Sequence, residues 1–168
     1  RAACACSRSW ATAPPSQLLT PTAAAADPDG QAPAHWAALV GQEGSLRVLQ
    51  ELGHGATLAA AGTDGAAAGQ TPAHLAAHAG QEGSLRVLQE LGHGATLAAA
   101  AASGVTPAHM AARAGQEGSL RVLQELGHGA TLAAADTDGL TPAHWAARAG
   151  EEGSLRVLQE LGHGATLA

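Results

Sequence analysis

The chain has 168 residues, 46% of them hydrophobic, but no Phe, no Tyr and only three Trp, so its core must be built from Ala, Leu and Val. That is the composition of close helix packing; a sandwich or barrel, which favours aromatic and β-branched residues, is disfavoured. Formal charge is −6, and from Asp27 onward six Arg face all fourteen acids, a balance of −8 with no basic block and the wrong sign for nucleic-acid binding.

The chain opens on residues 1–26, rich in Ala, Ser, Thr and Pro, with Arg1 and Arg8 and no acid before Asp27. This composition predicts a disordered leader and is also compatible with the tail of an organelle transit peptide. Its first residue is Arg, so a fragment or a processed product is expected. Cys4 and Cys6 are too close for a relaxed bridge and have no partner elsewhere, which favours a reducing, intracellular and cytoplasmic setting. No apolar run approaches the ~18 residues that span a bilayer, so no membrane insertion is expected.

After the leader one segment repeats. GQEGSLRVLQELGHGATLAAA, from Gly41 to Ala61, recurs unchanged from Gly80 to Ala100 and from Gly115 to Ala135, then again from Gly150 with Glu151 in place of Gln. His35, His74, His109 and His144 are spaced by 39, 35 and 35 residues, the first interval holding a four-residue insertion near residues 66–69 that should form a surface loop. The repeat domain, 27–168, therefore divides into units 27–61, 62–100, 101–135 and 136–168.

Within a unit the elements follow in order. Thr71, Thr106 and Thr141 precede Pro72, Pro107 and Pro142, an N-cap residue followed by proline at the first helical position. The short helix that starts there runs through Ala76 and Ala77 and stops near Gly80, a suitable C′ residue. A second helix is predicted from about Ser84 to Leu91, with Leu85, Val87, Leu88 and Leu91 as its apolar stripe and Glu82, Arg86 and Glu90 on its solvated side. Gly92 and Gly94 end it, and DTDG at Asp136 to Gly139 is a turn leading into the next unit. Neither helix is long enough to persist alone in water, so the units must stack. The last helix is expected to expose Leu155, Val157, Leu158 or Leu161, which leaves open end-to-end self-association through an uncapped C-terminal repeat.

The runs TPAHLAAHAG (Thr71 to Gly80), TPAHMAARAG (Thr106 to Gly115) and TPAHWAARAG (Thr141 to Gly150), with GATLAAADTDGLTPAH (Gly129 to His144) between units, closely resemble ankyrin repeats. The resemblance implies an all-α solenoid of four stacked helix-turn-helix repeats, slightly curved, with projecting turns and a concave binding face. Three departures stand out. The period is 35 where the family's is 33, and the extra Gly127 and His128 are expected to lengthen the end of the second helix. Ser84 and Gln89 occupy places where the family usually has aliphatic residues. In the first unit Ala32 replaces the capping Thr, which should weaken that helix start by roughly 0.5–2 kcal/mol.

Nine histidines raise a metal hypothesis. By the resemblance, His35, His74, His109 and His144 make structural hydrogen bonds to neighbouring backbone. His54, His93, His128 and His163 follow the second helix in a Gly-His-Gly turn, where a cation suits the helix C-terminus. Equivalent residues on adjacent repeats lie roughly 8–10 Å apart, while zinc needs nitrogens at roughly 2.0–2.1 Å, so such rows do not chelate one ion. His74 and His78, four apart on a helix, are only two ligands. No metal or cofactor is expected. Ser45, Ser84, Ser119 and Ser154 each lie near a Glu, but four interchangeable copies argue against a differentiated catalytic centre.

The positions that differ between near-identical units are candidates for specificity. After the structural His comes Trp36, Leu75, Met110 or Trp145; three residues later comes Leu39, His78, Arg113 or Arg148. The two positions are one turn apart and share a face of each first helix, which the resemblance makes the partner-facing side. Trp and Arg are enriched in interface hot spots, and Met adapts to irregular partners. The expected function is a non-enzymatic module that binds another protein; the alternative is an architectural or targeting segment of a larger multidomain protein, an enzyme or a channel.

Overall fold

The computed structural model describes residue 27 and residues 30–63 and 68–163. The leader 1–26, residues 66 and 67 of the insertion, and residues 164–168 lie outside the described residues. Eight α-helices follow in four pairs: α1 (Pro33–Val40) with α2 (Glu43–Glu51), α3 (Pro72–His78) with α4 (Glu82–Glu90), α5 (Pro107–Arg113) with α6 (Glu117–Glu125), and α7 (Pro142–Ala149) with α8 (Glu152–Leu158). No strand occurs among the described residues. Each first helix packs on the next first helix and each second helix on the next second helix, forming an all-helical solenoid.

The local signals explain where each first helix begins and ends. Thr71, Thr106 and Thr141 hold the extended N-cap conformation and proline takes the first helical position. At the other end of α3, Gly80 takes φ +74° and Gln81 N–H reaches back to the Ala76 carbonyl at 2.9 Å. This is the left-handed closure that a side chain would strain.

The second helix begins two residues earlier than predicted, at Glu82 instead of Ser84. The intervening Gly83 reads locally as a helix breaker; it lies beneath the exposed Glu43 side chain of the preceding pair, whose carboxylate a Cβ there would displace. Gly118 and Gly153 stand under Glu82 and Glu117 in the same way. Gly127 and His128 do not lengthen the helix, contrary to expectation. Gly127 closes it at φ +85°, with His128 N–H bonded to the Leu123 carbonyl at 2.9 Å, and a 3-10 turn follows over Gly129–Leu132. That turn inserts Leu132, like Leu58 and Leu97 in the equivalent turns, fully into the core.

The core joins alanines of the first helices (Ala73, Ala76, Ala77, Ala108, Ala111, Ala112) to leucines of the second (Leu85, Leu88, Leu120, Leu123). Small side chains let the first helices approach closely, while each buried Leu contributes roughly 1.5–3 kcal/mol. Val87 and Ser84 are buried against the preceding pair. The ends of the stack correct the expectation for the last helix: Val157 and Leu158 are buried, and Leu155 and Leu161 are half-buried against the core. The large exposed hydrophobics among the described residues are Trp36, Val40, Val48 and Leu52. The reason is directional. Val and the second stripe Leu point toward the preceding pair, so the uncovered apolar face belongs to α1 and α2.

Candidate functional site

The site rests on a row of histidines. Thr71 N–H donates to His74 Nδ1 at 3.1 Å, so the ring proton sits on Nε2, which donates to the Val105 carbonyl of the next unit at 2.9 Å. His109 repeats the arrangement with Thr106 and Leu140, and His35 with Ala32 and Gln70. The threonine hydroxyl lies beside the same Nδ1, 3.0 Å from it in His74. The hydroxyl thus acts through the histidine, and Ala32 forfeits only this contact. Burial pushes the His74 imidazole down to about 4, against the opposing hydrogen bond to Val105. His109 is also pushed down, again chiefly by burial.

This scaffold presents the variable positions of the first helices. Trp36 and His78 are exposed, Leu39 and Leu75 half-buried. Met110, expected in the open strip, is buried with Ala101 and Val105, and Trp145 packs onto that cluster. The Met side chain shares that cluster with the indole. The Trp145 ring stands edge-on to His109, with centroids 5.8 Å apart, and the Arg113 guanidinium lies over it at 5.7 Å. Arg113, Trp145, Arg148 and Ala149 line one open cleft of about 350 Å³. At the other end a hollow of about 750 Å³ is lined by Trp36 with Pro33, Val40, Val48 and Leu49. Neither hollow includes Leu39, Leu75 or His78.

Several contributors escape a reading of the sequence. Asp136 accepts the Trp145 indole N–H, and its other oxygen accepts the N–H groups of Asp138 and Leu140 at 3.0 and 2.8 Å. Desolvation pushes the Asp136 carboxyl up, but these hydrogen bonds and the His109 ring hold it below its ordinary value. An Asp nine residues before each of Trp36 and Trp145 was the available signal. On the opposite surface, His93 meets Gln50 and His128 meets Gln89, both at 3.1 Å. Arg47, Arg86 and Arg121 meet Glu90, Glu125 and Glu160 of the following unit at 2.9, 3.0 and 2.8 Å. The second histidine row therefore links units sideways.

No three His, Cys, Asp or Glu side chains converge among the described residues. His74 has both ring nitrogens engaged, and His78 faces outward. No described helix is long and apolar enough to cross a membrane. Comparison with known proteins matches residues 81–167 to the family model described as ankyrin repeats (3 copies). No curated protein matches the chain.

Proposed function

The chain belongs to the ankyrin repeat family, a non-catalytic fold whose members are generally protein-interaction modules, and on that premise we propose that it binds a partner protein through the concave face of its stack. The contact residues of this reading are Trp36, Leu39, Leu75, His78, Met110, Arg113, Trp145 and Arg148, with Met110 acting as the buried support of Trp145. One observation carries the reading: in a chain with three Trp, two of them recur at the same first-helix position, and one lines an open cleft with two arginines. The reading is of an intracellular module that acts by surface complementarity, without a cofactor and without binding nucleic acid.

Selection of a displayed peptide library on the immobilised chain tests it. Binders that are lost on Trp36→Ala, Leu75→Ala or Trp145→Ala and retained on Glu51→Ala support the concave face. Binders indifferent to all three substitutions and lost on outer-surface changes overturn it.

A second reading, an architectural or targeting segment within a larger multidomain protein, is favoured by the uncovered apolar face of Trp36, Val40, Val48 and Leu52, which is of the kind that a stacked neighbour covers in the later units. It adds the N-terminal repeat to the C-terminal one as an end available for self-association.

A further inference from the structure

The described arginines fall into two groups. On the second helices Arg47, Arg86, Arg121 and Arg156 each meet a glutamate within 3.5 Å. On the first helices Arg113 and Arg148 meet none among the described residues; Arg113 lies over the Trp145 ring, and Arg148 has no hydrogen bond or ion pair among the described residues. The nearby Asp136 is committed, one oxygen to the indole N–H and the other to two backbone N–H groups. In a segment with a formal balance of −8, two guanidiniums without acidic partners share one cleft. An anion from outside can pair with both.

The cleft's other wall is Trp145, and it is fixed before any ligand arrives. The indole N–H is tied to Asp136 at 2.9 Å, His109 meets the ring edge-on, and Met110, Val105 and Ala101 pack against it. A rigid apolar wall beside two cations suits a ligand that pairs an acidic group with an apolar neighbour, and its rigidity reduces the ordering cost of binding. Two planar forks match the two oxygens of a carboxylate. The lining residues, Arg113, Trp145, Arg148 and Ala149, bring no hydroxyl side chain for the third oxygen of a phosphate.

Resting on the concave-face reading above, we propose that the cleft of Arg113, Trp145 and Arg148 is a carboxylate subsite that takes an Asp or Glu side chain of an extended partner peptide, with the neighbouring apolar residue laid against Trp145. Adjacent first helices are roughly 8–10 Å apart, about three residues of extended chain, so a peptide with acidic residues three apart can offer a carboxylate to the cleft in more than one register.

The test uses the full chain with Trp10 and Trp36 replaced by Phe, so that Trp145 alone fluoresces. The probes are a capped Leu-Glu-Leu-Leu-Glu-Leu peptide, its Gln counterpart and its phosphoserine counterpart. The Glu peptide is expected to shift the emission saturably, at least about tenfold more tightly than the Gln peptide, and more weakly in high salt. Arg148→Gln is expected to weaken it by about tenfold without moving the melting temperature, because that side chain has no intramolecular partner to lose. Equal binding of the Gln peptide, an unchanged affinity in Arg148→Gln, a response to the phosphoserine peptide alone, or no response at millimolar peptide each overturns the subsite. Library binders that still depend on Trp36 or Leu75 then leave the concave-face reading standing, whereas binders indifferent to the whole row remove both.

Discussion

Trp145 donates its indole N–H to Asp136 at 2.9 Å, nine residues earlier, and Trp36 makes the same bond to Asp27 at the same distance. Where the turn begins with Gly62 or Ala101 the corresponding first-helix residue is Leu75 or Met110, which has no N–H to offer. The first residue of the turn and the most variable residue of the helix are thus matched within each unit, and the match fixes how each indole is presented.

Asp136→Ala should therefore do more than remove a surface charge. It takes the acceptor from the indole and from the N–H groups of Asp138 and Leu140, and should cost about 1–3 kcal/mol with a red shift of Trp145 emission. Asp136→Asn, which keeps one acceptor oxygen, should lie between. Denaturant melts with fluorescence detection decide it, and an Asp136→Ala variant that matches the parent in both midpoint and emission would refute the tether.

The histidine row makes stability depend on acid. His74 is depressed from 6.5 to about 4 in the folded chain, so the unfolded chain binds more protons in that window. The stabilisation is fully present above about pH 6.5 and is lost as pH falls toward about 4, by about 3 kcal/mol for this group, with His109 acting in the same direction. Urea titrations across that window should show the slope, and His74→Gln should flatten it. A parent whose midpoint is constant from neutrality to pH about 4 contradicts the neutral-histidine ladder.

Ser84, Ser119 and Ser154 bury their hydroxyls with no hydrogen-bond partner among the described residues. An unsatisfied buried polar group is a liability of about 1–3 kcal/mol, and Ala is also the better helix former. Ser84→Ala and Ser119→Ala should each raise the denaturant midpoint, and Ser45→Ala, at the equivalent exposed position of α2, should raise it less, by the helix propensity alone. Destabilisation by Ser84→Ala would mean that the hydroxyl is partnered in solution.

For partner binding, the double change Trp145→Ala with Arg148→Ala should weaken affinity by several kcal/mol, since hot-spot truncations cost at least ~2 each. Glu90 and Glu125 look like silent controls in sequence, being spaced on a solvated helix face, but each holds an arginine of the preceding unit. Glu51, exposed and in no such pair, is the appropriate control. Trp145 also packs on Met110, so part of its effect is on stability, and Arg148→Ala alone gives the cleaner reading. Unaltered affinity in the double variant, measured calorimetrically on a library-selected binder, would move the interface to another surface.

Thr71 before Pro72, Gly80 after the first helix and Gly92 after the second were sufficient to place elements, because caps and left-handed closures are decided by a residue and its neighbours within one turn. The repeat itself, and with it the stacked all-helical architecture, was likewise in the sequence, since four near-identical units can only bury their shared apolar stripe against copies of themselves. What depends on stacking register was not legible. Gly83 lies inside a helix with the Glu43 side chain of another unit over it; Met110 is buried in a cluster onto which Trp145 of the next unit packs; Val48 is exposed where Val87 is hidden, although the surrounding sequences are the same. Glu43 and Trp145 lie 40 and 35 residues from Gly83 and Met110, and no local propensity encodes which face of a repeat meets its predecessor. Only the tertiary structure decided which face stays open and which two arginines are left without an acid.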